Sequence, residues 1–190
     1  TFSDMYISLL QQCLDDTKYI RDISVTDMKL IESFNDTEHT YEIPEASTLY
    51  SLFENTAKEN ENRICIKTAE RNLSFGELLN ISECLDTEIR KITKNEKSVI
   101  AIIAERSPEM YAAIYGIIRG GNAYLPIDPD YPQDRIAFML QNSNAPLAVC
   151  QEEYCSLAGE GCINMTELIE ALPQNDVLPF ACEENDTAYV

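Results

Sequence analysis

The sequence has no tryptophan and a single histidine, His39. Nucleophilic catalysis by a Ser/His or Cys/His pair needs that imidazole beside the nucleophile, and His39 falls in a polar stretch that reads as an exposed linker. Basic residues are also scarce: 14 Lys and Arg against 33 Asp and Glu leave a net charge of −19. Such a chain repels polyanions, so nucleic-acid binding would need a local basic patch. The one cluster, Arg90, Lys91, Lys94 and Lys97, reads instead as the basic last turn of a helix and a solvated loop. Long hydrophobic runs are missing too. Stretches such as Val99–Ala104 are far too short to cross a bilayer. The opening residues, Thr1 to Leu14, lack the basic region and cleavage site of a secretory signal, so a cytoplasmic location is expected.

Glycine is infrequent, with six residues at 76, 116, 120, 121, 159 and 161. Gly116 and Gly121 have phosphate-loop spacing, but Asn122-Ala123 follows where Lys-Ser/Thr would have to reach phosphate and magnesium. Gly120–Gly121 reads as a helix C-cap with a left-handed backbone. Gly159-Glu160-Gly161 puts a carboxylate where a phosphate would sit, and reads as a loop. The seven cysteines contain no CxxC pair and read as reduced thiols. Cys150, Cys155 and Cys162 are close in sequence, but a structural zinc site needs four ligands at fixed spacing; they read as small apolar side chains.

Asp128, Asp130 and Asp134 gather around Pro129 and Pro132. As a calcium loop the segment fails, because Gln133 and Met139 stand where Gly and Glu are needed. The structural reading is that the prolines fix the backbone, Asp130 or Asp134 accepts from free N–H groups at a helix start, and Arg135 is an ion partner. No residue is therefore assigned a catalytic, cofactor-binding or metal-binding role.

The hydrophobic patterning is that of an α/β protein. Met5, Leu9, Leu10, Cys13 and Leu14 recur at helical spacing, and Thr26 can cap a second short helix carrying Met28, Leu30, Ile31 and Phe34. Asn35-Asp36-Thr37 signals a turn, and a polar linker runs to Glu45. Beyond it the pattern predicts a helix from Thr48 to Lys58, a strand at Ile64–Ile66 and a turn at Ala69–Asn72. Ser74 and Glu77 form a capping box that opens a helix to Ile92. A strand at Val99–Ala104, a helix ending at Gly120–Gly121, a strand at Ala123–Ile127 and a helix from Gln133 then follow. Strands alternating with helices across short turns are the pattern of a parallel sheet. Leu147–Cys150 reads as another buried strand, Thr166–Leu172 as a short helix and Thr187–Val190 as the start of a further strand; between Gln151 and Glu184 the signal is otherwise weak.

Several segments resemble the motifs of amino-acid adenylation domains of nonribosomal peptide synthetases, members of the AMP-forming acyl-adenylate family, and they come in the right order. LSFGEL (Leu73 to Leu78) resembles the first core motif, with Phe75 in place of the usual tyrosine. RSPEMYAAIYGIIRGGNAYLPIDPDYPQDRI (Arg106 to Ile136) resembles the second, with Arg119-Gly120 where Lys-Ala is usual and Asn122 where Gly or Ala is usual. Phe34 to Ala57 resembles the linker into such a domain, and residues 1 to about 33 the tail of a condensation domain.

The resemblance implies residues 1–40 as the end of a condensation domain and its linker, and 41–190 as a truncated N-terminal subdomain of an adenylation domain. The expected fold is a partial, mainly parallel sheet flanked by helices, with a helical and linker extension in front. The implied activity of the whole domain is activation of an amino acid with ATP and Mg²⁺ as aminoacyl-AMP, then transfer to a carrier protein's phosphopantetheine thiol. In the family the Ser/Thr/Gly-rich phosphate loop follows a segment like Asp186 to Val190, and the substrate aspartate and catalytic lysine come later. This chain alone is thus expected to be inactive and to bind no cofactor itself. Its expected partners are the remainder of the domain and the neighbouring condensation and carrier domains, with self-association through a truncated face, and no nucleic acid or membrane. The alternative is a split half or non-catalytic interaction module of the same fold; an independent flavodoxin-like nucleotide-binding domain is disfavoured by the missing Gly-rich first loop.

Overall fold

The computed structural model describes residues 2–14, 35–36, 47–69, 71–159, 161–171 and 178–190. The chain divides into two units, Thr1–Ile43 and Pro44–Val190. In the first, helix α1 (Phe2–Cys13) exposes Tyr6, Ile7 and Leu10. The helix expected after Thr26, and His39, lie outside the described residues.

In the second unit, the apolar run of β3 (Val99–Ile103) is buried at four of its five residues. A strand covered on both faces must be apolar at consecutive positions rather than alternate ones, which is the condition of a parallel sheet. Ile100 and Ile102 enter one core cluster, Ala101 and Ile103 another. The sheet runs β4-β3-β5-β6, with β4 at Ala123–Ile127, β5 at Leu147–Cys150 and β6 at Cys162–Asn164, every pairing parallel. A separate antiparallel hairpin pairs β1 (Ile64–Lys67) with β2 (Asn72–Ser74) and carries a register irregularity between Ile64 and Ile66. The parallel α/β expectation holds, and the strand and turn expected from Ile64 to Leu73 are present as this hairpin.

Helices α2 (Leu49–Glu59), α3 (Phe75–Thr93) and α4 (Pro108–Arg119) pack over one face of the sheet, and α5 (Gln133–Asn142) contributes Ile136 to the other. Their starts follow from the sequence. Thr48 caps α2 reciprocally with Ser51, Ser74 caps α3 reciprocally with Glu77, and Ser107 accepts from the Met110 N–H with Pro108 in the first turn of α4. Helices α3 and α4 cross closely at Gly116. A Cβ there would lie 2.8 Å from Leu85 Cβ and 2.9 Å from the Ser82 carbonyl, so only glycine permits the approach.

Two elements went unread in the sequence: the 3-10 helix Glu152–Leu157 and the three-residue β6. The short helix after β6, α6, spans Met165–Ala171. At the end of α4 the C-cap Gly120 is right-handed (φ −77°), and the left-handed residue is Gly121 (φ +75°), one position later than the simplest C-cap reading.

Residues 178–190 lie along the β4 side of the unit, held by a buried guanidinium. Arg119 is 2% exposed. Its Nε donates to the Tyr50 hydroxyl at 2.9 Å, and its two Nη groups donate to Asp86 and to the Leu178 carbonyl. The Arg119 carbonyl accepts from the Ala181 N–H at 2.9 Å. Asp86, wholly buried, also accepts from Arg90 Nε at 2.7 Å. Burial pushes the Asp86 carboxyl above the ordinary aspartate range, against the pull of Arg90 and Arg119. The segment ends in a parallel bridge, Tyr124 to Tyr189, with the Tyr124 N–H donating to Ala188 O (2.9 Å) and the Val190 N–H to Tyr124 O (3.1 Å). The expected strand at the end is present as this bridge.

Candidate functional site

In the sheet order β4 and β5 flank β3, so the chain leaves β3 to one side and returns to the other. Ligands of open α/β sheets bind outside the carboxyl ends of the strands at such a reversal. Two clefts open there. One, of about 520 Å³, is lined by Glu105, Arg106, Met110, Asp128, Tyr131 and Tyr189, among others. The other, of about 530 Å³, lies between Thr68, Ala69 and Arg71 of the β1–β2 hairpin and the loops after β3 and β5. Glu105 and Arg106 line both.

The walls are fixed by local bonds. The Glu105 N–H donates to Gln151 Oε1 at 2.8 Å, tying the loop after β3 to the end of β5. The Glu105 carboxylate accepts from the Tyr154 hydroxyl at 2.8 Å. That hydrogen bond, with a smaller part from burial and nearby carboxylates, pushes the Tyr154 phenol up to about 12. Across the second cleft Arg71 pairs with Glu109 at 3.3 Å. Arg106, which lines both clefts, is exposed and makes no ion pair among the described residues.

The proline-rich turn is structural, with its roles redistributed. Asp128, rather than Asp130 or Asp134, supplies the turn bond, accepting from the Asp130 N–H at 3.0 Å. The start of α5 has Pro132 as N-cap and no side-chain cap bond. Arg135 makes no ion pair among the described residues; its guanidinium lies over the Tyr131 ring, 4.1 Å from the centroid. The basic cluster is mostly neutralised: Arg90 pairs with Asp86, Lys91 with Glu88 and Lys97 with Asp186, while Lys94 is the left-handed C-cap of α3.

Cys150 of β5, Cys155 of the 3-10 helix and Cys162 of β6 do come together, in the core cluster on the α5 face. Burial, then the neighbouring Cys162, raises the Cys150 thiol, and the same two influences push Cys155 up to about 12. Thiols so held stay protonated and unreactive at neutral pH. Among the described residues no group of three or more His, Cys, Asp or Glu side chains could hold a metal ion.

The matching family model, that of the AMP-binding enzymes, covers residues 53–188. The chain belongs to the AMP-binding enzyme family. Among its relatives, tyrocidine synthase 3 of Brevibacillus parabrevis is 32% identical over 168 residues, which is 85% of this chain and 3% of that protein. Bacitracin synthase 1 of Bacillus licheniformis is 31% identical over 180 residues, 93% of this chain and again 3% of the relative. The chain thus spans a small part of the length of the curated relatives it matches. Among solved structures, the AMPPNP-bound nonribosomal peptide synthetase FmoA3 has the same fold, with a TM-score of 0.71 at 22% identity over 98% of this chain and 21% of that one. The N-terminal subdomain of Klebsiella oxytoca NpsA gives a TM-score of 0.67 at 18% identity, covering 76% of this chain and 38% of that one. The likeness to adenylation domains of nonribosomal peptide synthetases therefore extends from the two core motifs to the whole architecture. Among the described residues no helix is long and apolar enough to cross a membrane.

The residues present do not by themselves fit ATP and Mg²⁺. Asp128 is engaged in its own turn, the Arg71 cation is paired with Glu109, and the sequence holds no glycine-rich loop with a following lysine.

Proposed function

We propose that residues 41–190 are the first part of the N-terminal subdomain of a nonribosomal peptide synthetase adenylation domain, with residues 1–40 the end of a condensation domain and its linker. The complete domain would activate an amino acid with ATP as aminoacyl-AMP and pass it to a carrier protein's phosphopantetheine thiol. In this reading the residues present shape the scaffold and one wall of the site, and the remainder of the domain supplies the nucleotide donors, the substrate aspartate and the lysine. The location that goes with this reading is cytoplasmic. The observation that carries the reading is the sheet, whose reversal at β3 opens a cleft at its carboxyl end beside the incoming strand at Tyr189.

The test is amino-acid-dependent exchange of pyrophosphate into ATP. This chain alone should give background exchange, and a domain completed with the missing segment should give exchange with at least one amino acid. Exchange by the chain alone would refute the assignment of the chemistry to the remainder. A completed domain that stays inert with all amino acids would refute the adenylation reading.

A second reading, a split half or non-catalytic interaction module, draws on the bridge at the β4 side, where Tyr189 is 61% exposed. It predicts that the missing segment, added as a separate polypeptide, binds at micromolar concentration and restores exchange.

A further inference from the structure

We propose that Lys97 is a positioning residue, whose pairing with Asp186 latches residues 178–190 to the body and sets the register that places Tyr189 in the wall of the cleft. Lys97 stands at the amino end of β3, on the opposite end of the sheet from the cleft it influences. Its Nζ donates to both Asp186 oxygens, each at 2.8 Å. The Asp186 carboxylate is preorganised for this, because it also accepts from the Glu183 N–H at 2.8 Å, and the Asp186 N–H closes the turn onto the Glu183 carbonyl.

Space for the pair is made by Gly121. A Cβ at that position would meet Lys97 Cε at 2.8 Å and Asp186 Oδ2 at 2.9 Å, so the left-handed glycine serves both the helix end and the latch. From Asp186 only two residues lead to the bridge with Tyr124. Successive side chains of a strand point to opposite sides, so a slip of one residue would turn Tyr189 away from the cleft. The earlier anchors of the segment, Leu178 and Ala181 on Arg119 and Cys182 on Thr48, lie four to eight residues before Asp186, which leaves Asp186 the anchor nearest the bridge.

The Lys97 side chain is 41% exposed, and exposed pairs contribute little to global stability. The effect of the latch is therefore local: it decides how often the last residues leave β4. The role rests on the adenylation reading only for what the cleft holds, and the measurement below uses no substrate, so the two can fail separately.

The experiment is amide hydrogen exchange by NMR on this chain, comparing parent, Lys97→Met and Lys97→Arg. In Lys97→Met the amides of Tyr124 and Val190 should exchange about tenfold faster, while Ile102 in β3 keeps its protection. Lys97→Arg, which retains a cation in reach, should preserve the parent pattern. The proposal is overturned if Lys97→Met leaves Tyr124 and Val190 within roughly twofold of the parent. It is equally overturned if Ile102 accelerates alongside them, since Lys97 would then serve general stability, or if Lys97→Arg behaves as Lys97→Met does.

Discussion

Replacing Arg119 by methionine removes the centre of the buried polar network while keeping most of the side chain's volume. Three donor contacts go at once: to Tyr50, to Asp86 and to the Leu178 carbonyl. Breaking a buried ion pair from one side costs about 3–5 kcal/mol, because the remaining charge is left in the interior. Arg90 stays beside Asp86 and argues for the lower end. The Tyr50 hydroxyl, in a fully buried residue, loses its partner and adds a penalty of about 1–3 kcal/mol. A net loss of about 4–6 kcal/mol is a large share of a domain's stability of about 5–15 kcal/mol. The assay is urea unfolding followed by far-UV circular dichroism, since the chain offers no tryptophan. At a slope of about 2 kcal/mol per molar, the midpoint should fall by about 2–3 M. Arg119→Lys, which keeps the charge without the fork, should lie between the two. A midpoint for Arg119→Met equivalent to less than about 1 kcal/mol of loss would refute the argument, and would mean that Arg90 alone satisfies Asp86.

Two further predictions concern packing and the cleft. Gly116→Ala drives a methyl group into the Ser82 carbonyl and Leu85 Cβ, neither of which is the free end of a flexible side chain; it should cost about 1–3 kcal/mol, read as a lowered Tm with the same final fold. Glu105→Ala should return the Tyr154 phenol from about 12 towards its ordinary value, followed by the ¹³Cζ shift of Tyr154 on titration. Because the folded value is raised, whatever the Glu105 contact contributes to stability is fully present below the ordinary tyrosine pKa of about 10 and lost as pH rises through about 12. An unchanged Tyr154 titration in the variant would show that the hydrogen bond is not the cause.

The legible parts of the fold are those where a local rule and a tertiary demand agree. The capping box at Ser74 and Glu77 was visible because the cap is made by residues within one turn, whereas the caps at Thr48 and Ser107 emerge only from the structure. The capping box at Thr48 closes through Ser51, one of the residues within that turn. Strand β3 was visible because burial on both faces leaves no polar position in it. Strand β6 was not, because three residues carry no usable periodicity and its pairing with β5 is made across a loop. The segment 178–190 was equally opaque between Leu178 and Glu184. Its conformation is dictated by Arg119 and Lys97, which lie far from it in sequence.

The proline-rich turn shows why a strong motif gave so little chemistry. Its composition correctly announced a rigid corner at the end of β4, yet Asp130, Asp134 and Arg135 took none of the partners that spacing alone suggested. Which aspartate accepts a turn N–H depends on the torsion set by Pro129, and whether an arginine pairs or stacks depends on what lies within reach once α5 has docked through Ile136. Arg135 makes no ion pair among the described residues and stacks on the Tyr131 ring instead. The same reasoning applies to the cleft. Glu105, Tyr131 and Tyr189 come from three distant stretches and meet only because the sheet reverses at β3 and the last residues join β4 in one register. A site assembled in this way depends on whatever fixes the register, and a change at Lys97, remote from the cleft, should therefore disturb its wall more than many changes made nearer to it.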